Sequence, residues 1–294
     1  MDVIWLPDAR PRPRRLAVGE FDGVHIGHRE VIRGATSVLT FEPHPRTVVA
    51  PESAPKLLTT LEQKADLIAA LGVEELIVIP FDGSFAAQSP EEFVERVLVK
   101  QLGAEYVSVG ENFRFGHRAR GDVNLLQTVD GFETRVVELV ELDGEIVSST
   151  HIRGLVATGA VREAARFLGA PFGMRGIVAH GDKRGRTLGF PTANLVPDPR
   201  LAVPDHGIYA CRARVPGVGE WTAAVSIGVR PTFVTGRGLL VEAFLLDFER
   251  DIYGCELRLE FLERLRGERR FESVEALVEQ MHVDVRETER IVAG

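Results

Sequence analysis

Hydrophobic patterning changes period once along this chain, near residue 170, and the change dictates two differently built halves. Before it, short apolar runs alternate with amphipathic stretches. Leu16 to Gly19 and Ser37 to Phe41 read as buried strands, as do Val73 to Pro80 and Tyr106 to Gly110. Between them, Thr59 and Glu62 predict a capping box for a helix reaching Leu71, stopped by Gly72. Ser89-Pro90-Glu91-Glu92 supplies an N-cap, a proline at N1 and a glutamate at N3, followed by a helical face of Phe93, Val94, Val97 and Leu98. Repeated βα units of this kind predict a parallel, doubly wound sheet, which binds ligands beyond the carboxyl ends of its strands. A further helix over Val161 to Leu168 leads to a predicted linker, Gly169 to Gly173, so the domains are expected to be 1–170 and 171–294. Beyond it, strand-like runs (Ile208 to Val215, Trp221 to Ile227, Leu239 to Asp247, Glu256 to Phe261) are punctuated by Gly and Pro, which predicts a small all-β barrel. A last helix is expected from Ser273 to about Val283.

With 294 residues, 45% of them apolar, both halves can bury a core. The formal charge of −8 removes an overall basic footprint for nucleic acid. Two cysteines, Cys211 and Cys255, without a CxxC, argue against a disulfide framework or a cysteine zinc site. No apolar run approaches membrane-helix length and the first residues carry no basic signal region, so a cytoplasmic protein without membrane or nucleic-acid partners is expected; self-association is left open.

Chemistry-bearing residues concentrate in a few segments. Gly19-Glu20-Phe21-Asp22-Gly23-Val24-His25-Ile26-Gly27-His28 follows the first strand and opens a helix. Its glycines permit close approach to a phosphate, the helix start attracts anions, and two imidazoles on the first turn can donate hydrogen bonds. The competing reading is a capping turn with two surface histidines. Ser148-Ser149-Thr150-His151-Ile152-Arg153 is a second phosphate-friendly helix start or a plain hydroxyl cap. In Asn112-Phe113-Arg114-Phe115 the rings either stack a planar ligand or fold back on the core. The segment Ala179 to Asn194 carries Gly181, Lys183, Gly185 and Arg186, suited to cradling phosphate, or simply to forming a solvated basic hairpin. Lys183 is one of only four lysines against 31 arginines. Thr192 and Asn194, one residue apart, face the same way in extended chain and suit a hard cation such as Mg²⁺. Glu242 lies within an apolar strand, where alternation permits it to face solvent.

Phe21 to His28, Thr40-Phe41-Glu42-Pro43-His44-Pro45, Phe113 to Gly116 and Ser148 to Arg153, in this order, resemble the adenylyltransferase half of the prokaryotic bifunctional riboflavin kinase/FAD synthetase family. Pro191 to Asn194, Arg230-Pro231-Thr232, the Glu242 strand, Tyr253-Gly254 and Arg266 to Phe271 resemble its riboflavin kinase module. The resemblance implies an α/β Rossmann-like HxGH nucleotidyltransferase domain before a riboflavin kinase-like barrel with a C-terminal helix. It implies phosphorylation of riboflavin to FMN and adenylylation of FMN to FAD, with riboflavin, FMN and ATP as substrates and Mg²⁺ as cofactor. Gly19, Phe21, Asp22, Gly23, His25, His28, Ser148, Ser149, Thr150 and Arg153 would then serve ATP in the first domain, with His25, His28 and Arg153 catalytic. Asn112, Phe113, Arg114 and Phe115 would contact the flavin there. In the second domain Gly181, Lys183, Gly185, Arg186, Thr192 and Asn194 would hold Mg·ATP, Arg266 the flavin, and Glu242 would be the general base. Two features depart from the family pattern: Asn112 stands where many members have Asp, and the segment between His28 and Thr40 is short. Residues 20–36 still exceed the roughly 10–12 that a parallel crossover requires, so a first helix of about two turns is expected. The alternative is a kinase alone, its first domain degenerate through that shortened helix.

Overall fold

The computed structural model describes residues 1–181, 189–232 and 236–294, and they form two compact units, Met1–Ser149 and Thr150–Gly294. The first contains β1 (Asp2–Trp5), β2 (Arg14–Val18), α1 (Ile26–Ile32), β3 (Ser37–Glu42), α2 (Pro45–Val49), α3 (Leu61–Ala69), β4 (Glu75–Pro80), α4 (Gly83–Ala86), α5 (Pro90–Glu92), β5 (Ala104–Gly110), α6 (Val123–Gln127) and β6 (Glu133–Val137). A short hairpin of β7 (Glu141–Leu142) and β8 (Glu145–Ile146) completes it. Six strands form one parallel sheet in the order β1-β4-β3-β2-β5-β6. Alternation along each strand divides its side chains between the two faces. Leu16, Val18, Leu39, Ile77 and Ile79 pack on one side with Phe93 and Leu98, while Ala17, Val38, Leu76 and Val78 pack on the other with Ile32 and Ile68. Both faces are covered, so the strands read as near-continuous apolar runs.

Local chemistry explains the helix ends. Ser89 and Glu92 form the expected capping box, and the chain then continues as a π-helix over Phe93–Gln101, with Leu102 N–H reaching Val97 O at 2.9 Å. The cap of α3 is Thr60 with Gln63, not Thr59 with Glu62 as the spacing suggested. Thr59 is engaged elsewhere: its hydroxyl donates to Asp22 Oδ1 at 3.2 Å and accepts from Gly23 N–H at 3.1 Å. Helix α1 spans two turns, as its short crossover required.

The second unit opens with α7 (Ser149–Ala157), which begins at its boundary, and α8 (Val161–Leu168). Six strands follow: β9 (Phe172–Ala179), β10 (Ala193–Pro197), β11 (Gly207–Val215), β12 (Gly219–Thr232), β13 (Gly236–Leu245) and β14 (Glu256–Arg266). They close into an antiparallel barrel ordered β10-β13-β12-β11-β14-β9. Tyr209, Cys211, Val225, Ala243, Leu259 and Phe261, all essentially inaccessible, fill it. The linker expected over Gly169–Gly173 shrinks to two residues, because Gly169 is the left-handed cap of α8 (φ 73°) and β9 begins at Phe172. Helix α8 packs on β9 and β14. The last helix, α9 (Val274–Ala293), has the expected Ser273 cap but runs ten residues beyond Val283. Its buried anchors in that extension are polar, Asp284 and Thr288, which apolar periodicity does not register.

Candidate functional site

In the first unit the strand order changes direction at β2, whose neighbours are β3 and β5, so a crevice opens at its carboxyl end. The loop leaving β2 is tightly wound: Phe21 (φ 51°), Gly23 (φ 85°) and Val24 (φ 43°) are left-handed. For a β-branched valine that conformation is costly, and such strain concentrates at functional turns. Asp22 braces it, its buried carboxylate accepting from Leu58 N–H (2.9 Å) and Thr59 N–H (3.0 Å). Ser149 adds a further tie by donating to Asp22 O at 2.9 Å. The turn delivers His25 as the N-cap of α1, where Nδ1 accepts from His28 N–H at 3.2 Å. The two imidazoles stack with centroids 3.4 Å apart, and Phe21 meets His28 edge-on. A rigid pair of imidazoles at a helix start is an anion-binding arrangement. Gly19 lies close under the Phe21 ring, so a Cβ there would sit 3.0 Å from it and the ring would have to shift.

Loops after β3, β4 and β5 enclose an adjoining cavity of about 840 Å³. Asn112, Phe113, Arg114 and Phe115 all line it, together with Phe41 and Phe81. The Phe113 and Phe115 rings differ in burial. Phe115 is folded into the core against Phe93, whereas Phe113 is half-buried and stacks on Phe115 at 5.5 Å. The guanidinium of Arg114 is half-exposed, 4.0 Å from Asp122.

Sequence reasoning missed Lys64, which projects from α3 with only 6% of its surface exposed. Its Nζ donates to Thr40 Oγ1 at 3.2 Å. Burial pulls its pKa below the ordinary 10.5, against the opposing pull of Asp22, Glu42 and Glu20. The signal was available: the scarcity of lysine that marked Lys183 marks Lys64 equally.

In the second unit the register sets Asn194 of β10 directly opposite Glu242 of β13, and Glu242 opposite Ser226 of β12. Val241 and Ala243 point into the barrel, so Glu242 projects from its outer face, where it is half-buried. Thr192 Oγ1 lies 3.4 Å from Glu242 Oε1, and a Cβ on Gly181 would meet Asn194 Nδ2 at 2.0 Å. Gly181, Thr192, Asn194 and Glu242 thus come together, although only Thr192 and Asn194 are near in sequence. Lys183, Gly185 and Arg186 lie outside the described residues. A cavity of about 470 Å³ adjoins Thr192, lined also by Leu245, Phe248, Ile252 and Tyr253. The His180 ring packs on Tyr253 with centroids 3.8 Å apart.

Arg266 stands apart from this cluster in its bonding. Its guanidinium forks onto Asp284 of α9, with Nε–Oδ1 at 3.0 Å and Nη2–Oδ2 at 2.7 Å, and Gln280 donates to the same carboxylate. Thr150 and Arg153 lie on α7 in the second unit, whereas Ser148 and Ser149 belong to the first. Among the described residues no cluster of three His, Cys, Asp or Glu side chains could hold a metal by itself. The oxygen donors of Thr192, Asn194 and Glu242 nevertheless fit a hard cation that arrives with phosphate.

Comparison with known proteins places both halves of the chain in known families. A family model described as FAD synthetase matches residues 8–151, and one described as riboflavin kinase matches residues 168–292. A "Bifunctional riboflavin kinase/FMN adenylyltransferase" from Listeria monocytogenes is 39% identical, over 95% of this chain and 92% of its own length. Its namesake from Bacillus subtilis is 38% identical over 94% and 91%. A solved structure from Streptococcus pneumoniae, described as a macrolide-efflux protein, is 31% identical and superposes with a TM-score of 0.89 over 98% of this chain and 99% of that one. No helix among the described residues is long and apolar enough to cross a membrane. With an HxGH turn at the sheet's switch point, a Thr-x-Asn/Glu cluster on the barrel and relatives matching along nearly its whole length, the chain belongs to the bifunctional riboflavin kinase/FMN adenylyltransferase family.

Proposed function

We propose that this chain phosphorylates riboflavin to FMN on its barrel and adenylylates FMN to FAD on its α/β domain, the work dividing at about residue 170. The observation that carries the reading is that one chain holds two unrelated phosphate-handling clusters: His25 and His28 stacked at the start of α1, and Thr192 and Asn194 grouped with Glu242. A kinase-only reading is not favoured, because the FAD synthetase model matches the first half and the two-turn α1 retains both histidines.

On the barrel, Glu242 accepts the proton of the terminal ribityl hydroxyl. That oxygen attacks the γ-phosphorus of ATP, and the bond to the bridging oxygen breaks as ADP leaves. Thr192 and Asn194 would hold Mg²⁺, which when bound neutralises phosphate charge. Gly181, Lys183, Gly185 and Arg186 approach the phosphates, and the cavity beside Thr192 takes the nucleoside. Arg266 acts on flavin binding through the segment it anchors to α9.

On the α/β domain, a phosphate oxygen of FMN attacks the α-phosphorus of ATP and pyrophosphate departs. Positioning and charge stabilisation drive this step without a covalent intermediate. His25 and His28 donate to the phosphates, with Ser148 and Ser149 completing the anion site. The flavin ring enters the aromatic cavity bordered by Asn112, Phe113, Arg114 and Phe115. A cytoplasmic location accords with two cysteines that form no disulfide. The test is one incubation of purified protein with riboflavin, ATP and Mg²⁺, the flavins being separated over time. FMN followed by FAD is expected; FMN accumulating alone refutes the first-domain assignment, and no product refutes both.

A further inference from the structure

A buried lysine beside the HxGH turn is used by neither reaction step described above. Lys64 lies behind a small pocket of about 10 Å³, room for roughly one water, whose lining includes Glu20, Asp22, Glu42 and His44. His44 Nε2 is 2.8 Å from Glu20 Oε2. Three carboxylates therefore crowd the base of a turn at which a polyanionic nucleotide is expected, and Lys64 is the cation buried among them. The lysine also reaches the turn through a two-bond chain. Its Nζ donates to Thr40 Oγ1, and the Thr40 hydroxyl approaches Glu20 O at 3.1 Å. Glu20 immediately precedes the left-handed Phe21.

An ammonium group this buried is expensive, so a residue of purely structural value would be served better by an apolar side chain. We propose that Lys64 is a positioning residue for adenylyl transfer: it offsets the charge of Glu20, Asp22 and Glu42 so that the turn can accept a nucleotide polyanion, and it fixes the Glu20 carbonyl through Thr40. The inference rests on the reading of the first unit as the adenylyltransferase. It differs from a simple packing role in one respect. Loss of the cation should be compensated by loss of a neighbouring anion.

The experiment follows FAD formation from supplied FMN by the full chain, with ATP varied, for the wild type, Lys64→Met and Lys64→Met/Glu42→Gln. FMN formation from riboflavin is measured on the same samples as an internal control. Lys64→Met is expected to raise the KM for ATP about tenfold or more with a smaller change in kcat, as for an unbalanced buried charge. The double variant is expected to recover most of that loss, and FMN formation should be unaltered in both. Should Lys64→Met fail to fold, Lys64→Gln is subject to the same comparison. A KM for ATP within about twofold of wild type, or no recovery from Glu42→Gln, overturns the inference. A wild-type chain that forms FMN but no FAD overturns the underlying reading instead, so the two failures are told apart.

Discussion

Substituting Glu75 by Gln should destabilise the α/β unit without touching its ligand site. Glu75 begins β4, at the end of the sheet opposite the HxGH turn, and its side chain is 3% exposed. It accepts from Arg14 Nε at 2.7 Å, Arg14 Nη2 at 3.1 Å and Ser37 Oγ at 3.0 Å, with Arg12 3.4 Å away. These bonds join the starts of β2, β3 and β4. An amide keeps the shape but leaves the Arg14 guanidinium, 2% exposed, without its counter-charge. Breaking a buried pair from one side costs about 3–5 kcal/mol. Arg14 retains the Arg10 and Leu102 carbonyls as acceptors, which favours the lower end, about 3 kcal/mol. For a unit of this size that corresponds to a fall of about 6–12 °C in its melting temperature.

The two activities give each unit its own reporter, which matters because a two-unit chain need not unfold in one step. Aliquots would be heated, cooled and assayed separately for FAD formation from FMN and for FMN formation from riboflavin. The inactivation midpoint of FAD formation is expected to drop by about 6–12 °C while that of FMN formation stays put. The double substitution Arg14→Met/Glu75→Leu, which removes both charges, should recover most of the loss. A drop below about 2 °C, or equal drops in both activities, would refute the argument. The sign of the pH dependence is also fixed. Burial pushes the Glu75 carboxyl up, but the bonds from Arg14 and Ser37 outweigh it and hold the pKa below 4.5. The stabilisation is therefore complete above pH 4.5 and is lost as pH falls from there through the depressed folded value.

Three further outcomes follow from the sites. Glu242→Gln is expected to slow FMN formation about 10²–10⁴-fold while FAD synthesis from supplied FMN survives, and His28→Ala the reverse; if Glu242→Gln stops both reactions in a folded chain, the two-site division is wrong. Gly181→Ala places a Cβ 2.0 Å from Asn194 Nδ2, so the KM for ATP in FMN formation should rise; an unchanged KM would show that Asn194 does not serve the nucleotide. Asp284→Leu strips Arg266 of its forked partner and should lower the heat-inactivation midpoint of FMN formation, at a cost of about 2 kcal/mol, without moving that of FAD formation.

Much of this protein was legible in one dimension. The four inner strands of the parallel sheet announced themselves because burial on both faces demands unbroken apolar runs, and β11 to β14 of the barrel because turns demand Gly and Pro. Among what escaped are elements whose anchors are not apolar. Strand β1 lies at the sheet edge with Val3 and Trp5 exposed, and the second half of α9 is held by Asp284 and Thr288. The α3 cap moved from Thr59 to Thr60 because a carboxylate 37 residues away claimed the first hydroxyl. Motif spacing pointed to candidate residues for each site, since the HxGH turn and the Thr192–Asn194 pair are local in sequence. Tertiary structure alone decided what surrounds them: that Asn194 stands across from Glu242, that both phenylalanines of the 113–115 loop line a cavity while only Phe115 is fully folded into the core, and that Lys64 is buried among three carboxylates. Local spacing carries local geometry, but strand register, burial and electrostatic environment are set by residues distant in the chain, and these determine which side chains can act together.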